Sequence, residues 1–572
     1  MMTASHILKN ERFGPVEICW PEKKKLFDYL PKNFHSAVIS SYMRIFKEKN
    51  YREANLKIYE LNQSIVKKDC LRAGQFNLMA DDADLCDWAK VRAVAVEMAK
   101  ATKGYEGADA RALAMCDEHG IEPLKTLINE LGQDANLLER VARYQDDKWW
   151  RRRMRRKKAQ VIDQLARRLN MVHQRNQIYL SDEALSIRRS LKRKNRKMLE
   201  NMQAENQHGD VYTLAELADL STSNPENRRH ELMVRMKGFE WVADNSGHIG
   251  EFITLTCPSK YHPSSGNRPN PKYEGYTPKE ANDYLTYKVW AGVRRDLDKQ
   301  GLQVYGFRVV EPHHDGCPHW HLMLFMRQED RAKIKSIITK HAMAENPEEK
   351  GAAVHRCKFV RIDPSKGSAA GYIAKYVAKN IDGEGVENDL YGKDAKTSAQ
   401  RITEWAGTWS IRQFQQVGGP SVTVWRELRR LTEKGLDDWD EVLEAIGDEK
   451  TPRAIRWARM AADVSNWGVY VMLQGGALVS FRDRPIQLLK MAVPLGEGDL
   501  KVNPITGEEI TEKTGVYGDL VKKVKGLVSG GCLVISRSFR WVVRPIEKVL
   551  GVGGLSGSLE PPWTCVNNCP SY

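Results

Sequence analysis

At 572 residues the chain is too long for one hydrophobic core, and about three domains are expected of it. Its 41% hydrophobic and 28% charged composition is that of a soluble globular protein, with 89 Lys and Arg against 74 Asp and Glu for a net charge of +15. That excess favours a polyanionic partner, nucleic acid before membrane, and no apolar run reaches the roughly 20 residues of a bilayer span.

The opening stretch, MMTASHILKNERFG, lacks the apolar centre of a secretory signal. Residues 40–135 are rich in Ala and Leu at helical spacing, as in WAKVRAVAVEMAKATKGY (88–105), without strand-like alternation. KWWRRRMRRKK (148–158) then places eight basic residues in eleven, and a second basic stretch, SIRRSLKRKNRK (186–197), falls on a predicted helix. Two readings of these stretches stay open. They are phosphate-tracking surfaces with Trp149 and Trp150 stacking on bases, or solvated helical faces that the tryptophans anchor to a core. The polar Asn-Pro break in DLSTSNPENRRHE (219–231) marks a boundary.

From about residue 240 the texture changes. FITLTCPS (252–259) is β-rich and ends at Pro258. TPKEANDYLTYKVWAGVRRDLDKQG (277–301) reads as a helix with Thr277 as N-cap, Pro278 in the first position and Gly301 past its end. VYGFRVVE (304–311) and HWHLMLFM (319–326) are strands joined by the turn PHHDGCP (312–318). A helix over about 329–345, the strand HRCKFVRI (355–362) and a helix containing GYIAKYVAKN (371–380) complete a β-α-β-β-α-β-α order, the split βαβ pattern of a ferredoxin-like antiparallel sheet. Helices at about 436–447 and 452–465 precede short apolar runs such as GVYVMLQ (468–474). The expected fold class is therefore α+β. A helical, basic N-terminal region spans 1–235, the sheet domain 240–435, a mixed and mostly helical accessory region 436–550, and a flexible tail 551–572. Ten scattered cysteines do not suggest a disulfide framework, so a reducing cytoplasm is expected; only Cys565 and Cys569 lie close together.

The chemistry concentrates in two places. His319 and His321 are two apart on a strand, so both imidazoles share a face and form half of a metal site. Glu311 closes the preceding strand of the same hairpin and brings a carboxylate opposite them. Tyr372 and Tyr376 are four apart on a helix and stack on one face, with Lys375 and Lys379 on a neighbouring stripe. Phosphodiester cleavage by tyrosine needs a polarised phosphate and a deprotonated phenol, whose ordinary pKa is about 10. Lys375 and Lys379 would favour the phenolate or contact the phosphate. A phosphotyrosine ester is close in energy to the bond broken, so resealing needs no ATP, and the chain has no G-x-x-x-x-G-K-[ST] phosphate loop.

FITLTCPSKYH (252–262), EPHHDGCPHWHLMLF (311–325), YIAKYVAKN (372–380) and WSIRQFQQVGGPSVTVWRELRRL (409–431) together resemble the bacteriophage replication gene A protein family. These are rolling-circle replication initiators of the HUH endonuclease superfamily. The resemblance covers roughly residues 240–435. It implies an enzyme that nicks one strand at an origin, stays attached through a 5′-phosphotyrosine and later reseals the circle. It makes Tyr372 and Tyr376 the nucleophiles and His319 and His321 metal ligands, with Glu311 as third ligand and Asp315 its nearest alternative. Mg²⁺ or Mn²⁺ is the implied metal. The implied partners are single-stranded or supercoiled origin DNA and a host replicative helicase and polymerase, in the cytoplasm of a bacterial host. Two other readings remain: a two-tyrosine transposase or plasmid replication initiator, and a non-catalytic origin-binding protein.

Overall fold

The computed structural model describes residues 30–63, 78, 80–128, 134, 136–363, 365, 368, 371, 376–377, 380–381, 394–431, 450–492, 501–502, 509–510, 522–530 and 532–546. The predicted helix at 436–447, the tail 551–572 with Cys565 and Cys569, and Tyr372, Lys375 and Lys379 lie outside these residues. Among the described residues no helix is long and apolar enough to cross a membrane.

The first helices, Lys32–Glu48, Tyr51–Gln63, Asp82–Glu118, Leu137–Tyr144 and α1 (Asp147–Arg168), pack around one apolar core. Trp149 and Trp150 sit inside it, edge to face at 4.9 Å, and Trp150 Nε1 donates to the Tyr144 carbonyl at 2.7 Å. The tryptophans are thus anchors, and base stacking by them is excluded because their faces are covered. His119, also buried in this unit, accepts from Arg92 Nε at 3.1 Å. Burial first, and the Arg92 charge second, lower its pKa from 6.5 to about 4. The unfolded chain therefore takes up a proton that the folded chain resists. This contribution to stability is fully present above pH 6.5 and is lost as pH falls toward 4, by about 3 kcal/mol. We expect His119→Gln to flatten the pH dependence of thermal melting in that window, with little change above pH 7.

Next come α2 (Asp182–Glu200) and α3 (Pro225–Ser246). The Asn-Pro pair read as a break in fact starts α3: Asn224 caps it by accepting from Glu226 N at 3.0 Å, and Pro225 takes the first position, where no N–H is needed. The predicted boundary at 235–240 therefore falls inside a helix. Phe239 of α3 packs on the sheet, 5.4 Å from Tyr305 and 5.5 Å from Phe307.

The central sheet has five strands, β1 (His248–Thr256), β2 (Tyr305–Pro312), β3 (Pro318–Arg327), β4 (Cys357–Arg361) and β5 (Phe414–Val417), in the order β4-β1-β3-β2-β5 with every neighbouring pair antiparallel. The first crossover, from β1 to β2, is a helix built of Pro278–Asp283, Tyr284–Trp290 and Ala291–Lys299, with a wider π-type turn in its middle. Thr277 caps it by accepting from Glu280 N, and Gly301 follows it at φ 64°. The second, from β3 to β4, carries α4 (Arg331–Ala342). Each crossover skips one strand, so the two βαβ units interleave.

Alternation sorts the side chains of the sheet into two cores. Ile253, Leu255, Val310, Trp320, Leu322 and Leu324 face the crossover helices together with Trp405 and Trp409 of α5 (Ala395–Trp409). Phe252, Tyr305, Phe307, Val309, Met323 and Phe325 face α3 and α6 (Trp467–Leu473). A Cβ on Gly238 of α3 would lie 2.6 Å from the Trp467 side chain, so glycine permits the close crossing of α3 and α6. From the region expected as accessory, Trp467, Tyr470 and Val471 complete this second core. Farther on, Trp541–Pro545 pairs with Met202–Asn206, tying the C-terminal residues to the N-terminal region.

Candidate active site

Antiparallel register places Glu311 directly opposite His319, and Thr254 directly opposite His321. All four residues lie on the α3 side of the sheet, at the end of the β2–β3 hairpin. The His319 and His321 Nε2 atoms are 2.9 Å apart, and Glu311 Oε2 lies 3.7 Å from the first and 3.4 Å from the second. One ligand atom from each residue fits within 4.8 Å, the one three-residue group of this kind among the described residues. Glu311 is 1% exposed and His321 5%, with His319 half-buried beside them, so the donors converge in a largely buried cluster.

Neighbouring groups fix the orientation of each donor. Thr254 Oγ1 is 3.2 Å from His321 Nδ1, which aims Nε2 at the cluster. Phe252 stacks on the His321 ring at 5.5 Å and 16°. Asn380 donates through Nδ2 to Glu311 Oε1 and to the Tyr376 carbonyl. Tyr376 and Asn380 are helical and one turn apart, so a single amide ties the carboxylate to the tyrosine helix. The Tyr376 ring lies 4.1 Å from the His321 ring and 5.3 Å from Phe252. Burial, and next the Glu311 charge, raise the Tyr376 phenol above its ordinary pKa of 10. In this state the phenol keeps its proton at neutral pH.

The hairpin turn is held from outside the sheet. Asp315 is fully buried; burial alone would raise its carboxyl, but His262 at 3.0 Å, the nearby His313 and the Cys317 N–H bring it below the usual range. Asp315 thus pairs with His262, and the three-residue group among the described residues is formed by Glu311, His319 and His321. His313 bridges the two groups, its ring 5.1 Å from His262 and 4.1 Å from His319. From α1, Arg167 donates to the Asp315 carbonyl and, at 2.9 Å, to the Tyr179 carbonyl, while Asp163 holds its guanidinium. Gly316, at φ 77°, admits that guanidinium: a Cβ there would lie 2.0 Å from Arg167 Nη1.

Of the residues singled out from the sequence, the structure brings together Glu311, His319, His321 and Tyr376. Tyr372, Lys375 and Lys379 fall outside the described residues. Thr254, His313 and Asn380 went unnoticed. Asn380 carried a usable signal, four residues after Tyr376, and Thr254 sits where a strand pairing with β3 must place a residue opposite His321.

The family model for the bacteriophage replication gene A protein (GPA) matches residues 73–384. The chain belongs to the bacteriophage replication gene A protein family. The match begins well before the residue 240 expected from the motifs, so α1 and α2 are part of what this family shares. A probable replication protein of Pseudoalteromonas phage PM2 is 36% identical over 439 residues, covering 75% of this chain and 61% of that one. The replication gene A protein of Escherichia phage 186 is 36% identical over 441 residues, covering 75% and 59%. A probable replication endonuclease from a prophage-like region of Salmonella paratyphi A is 33% identical over 430 residues, covering 74% and 51%. The chain thus spans between half and three fifths of the length of these relatives. No solved structure matches it.

Proposed function

We propose that this gene A family member is a site- and strand-specific DNA endonuclease and strand transferase of the HUH type, which nicks a phage origin and starts and ends rolling-circle replication. The observation that carries this reading is the Tyr376 ring, tilted by 38° with its centroid 4.1 Å from that of His321, beside a cluster of two imidazoles and one carboxylate. The interleaved βαββαβ order of the sheet supports the same reading. So does the printed name of the Salmonella relative, a replication endonuclease.

The donor set fits a hard divalent cation. Two imidazoles and a carboxylate converge from one side, and His321 already has its Nδ1 engaged by Thr254. Glu311, His319 and His321 would hold Mg²⁺ or Mn²⁺, which when bound supplies a Lewis acid for the scissile phosphate and a field favouring the phenolate. The phenolate oxygen of one of the two tyrosines, Tyr372 or Tyr376, attacks phosphorus, and the P–O3′ bond breaks. The 5′ end becomes a tyrosine ester, and the freed 3′ oxygen takes a proton to become a primer hydroxyl. The other tyrosine repeats the step on the regenerated origin, and the first ester is resealed by the new 3′-OH. Lys375 and Lys379 act on the phosphate charge in this reading. Host helicase and polymerase supply unwinding and synthesis, which this chain carries no motif to perform.

Incubation with single-stranded DNA from the protein's own gene tests this proposal. A protein–DNA adduct that survives denaturant, with a free 3′-OH on the released piece, is the expected result. Adduct-free cleavage, or binding without cleavage in Mg²⁺ and in Mn²⁺, would overturn it. Asn380→Ala removes the amide that orients Glu311 and is expected to slow nicking about 10- to 100-fold without changing the thermal melt, read by gel assay.

A further inference from the structure

The basic stretches on α1 and α2 do not form one uniform surface. Arg155 and Lys194 both pair with Asp82, Arg188 and Lys192 pair with the buried Glu404, and Arg196 pairs with Asp219. Arg152, Arg153 and Arg156 form no salt bridge among the described residues. Arg153 instead lies over the Trp149 ring at 5.1 Å. Arg153, Arg156 and Lys157 line a cleft of about 1050 Å³ between α1 and the loop that precedes the first crossover helix. Arg152, Arg153 and Arg188 all act repulsively on Arg156, and Glu122 is the acid that opposes them.

Like charges gathered this closely around a cleft are unfavourable without an anion between them. Asp117, Glu122, Glu274 and Glu280 also line the cleft, and the Glu280 carboxylate is engaged by Thr277 N at 2.7 Å. Gln164, Arg168 and Trp409 line it as well. There Gln164 of α1 donates to the Tyr273 hydroxyl and the Gly275 carbonyl, each at 2.8 Å. Less than one turn further along α1, Arg167 holds the hairpin turn that precedes His319. Arg156 and Arg167 are separated by about 16 Å of helix, a span of a few nucleotides.

We propose that this cleft binds the sugar–phosphate backbone of single-stranded DNA, with Arg153, Arg156 and Lys157 as the phosphate contacts. The proposal rests on the reading of the chain as a DNA-cleaving enzyme, and it adds a surface that holds the substrate strand.

The test measures binding of a long thymidine oligonucleotide to the full chain carrying Tyr372→Phe and Tyr376→Phe, so that cleavage plays no part. Adding Arg153→Gln, Arg156→Gln and Lys157→Gln is expected to weaken binding at low salt at least about tenfold, and to reduce the slope of log affinity against log salt by about 2. The control removes the same charge elsewhere, with Lys47→Gln, Lys57→Gln and Lys90→Gln, and should leave the slope unchanged. In a second measurement on the unsubstituted chain, bound oligonucleotide should protect Arg153 and Arg156 from phenylglyoxal, as mapped by peptide mass. An unchanged slope in a folded cleft variant, an equal loss in the control, or no protection would overturn the cleft proposal. If the parent itself fails to bind single-stranded DNA, the DNA-cleaving reading falls as well, which is a separate outcome.

Discussion

Replacing both Tyr372 and Tyr376 by phenylalanine is expected to abolish the covalent adduct and to lower nicking at least ~10³-fold. Phenylalanine keeps the ring that packs on His321 and Phe252 and removes only the hydroxyl, so the melting temperature should hardly move. Each single substitution should leave some nicking, because two tyrosines four residues apart in sequence would each be able to act on the same phosphate in turn. What each single variant should lose is the second transfer, so linear and over-long products accumulate in place of closed circles. Peptide mapping should find the label on Tyr376 in Tyr372→Phe and on Tyr372 in Tyr376→Phe. An adduct in the double variant would place the nucleophile elsewhere.

His319→Ala and His321→Ala, tested separately, are each expected to lower nicking by about 10³-fold or more while leaving affinity for single-stranded DNA within a few fold. Each removes one of the three donors, and the remaining two no longer define a site. Chelator should reproduce the loss in the unsubstituted chain, and Mg²⁺ or Mn²⁺ should restore it there but not in the variants. Because His321 also fills space against Phe252 and Tyr376, His321→Asn serves as a partner that retains polarity and some volume. Full nicking in excess chelator would remove the metal from the account.

The parts of this architecture legible in the sequence are those governed by short-range rules. Thr277, Pro278 and Gly301 delimit a helix because capping and φ preferences act over a few residues. His319 and His321 share a face because strand alternation is local, and Glu311 joins them because a short turn fixes the register of its hairpin. Long-range pairings had no such signal. Phe239 meets Trp467 at 6.0 Å across more than two hundred residues, and no periodicity in either segment names the other. The same holds for Arg167 and the Asp315 carbonyl. The Asn-Pro pair was ambiguous for another reason: the residues that end one element also cap the next, so a punctuation mark was visible but not its direction. Tryptophans beside arginines posed a similar choice, decided by helical phase. In α1 the positions of Trp150 and Met154 turn inward, while Arg152 and Arg156 turn outward.

The pairing of Trp541–Pro545 with Met202–Asn206 has a consequence for how the protein is made. Arg544 reaches Glu205 across 339 residues of chain. At about 5–20 residues per second, a ribosome needs roughly 20 to 70 s to deliver the second strand after the first has emerged. During that interval Met202–Asn206 has only the short Val211–Thr213 beside it, and its other edge is open to any extended segment nearby. This seam closes late in synthesis, and a nascent chain stalled before residue 541 would expose an edge that the finished molecule hides.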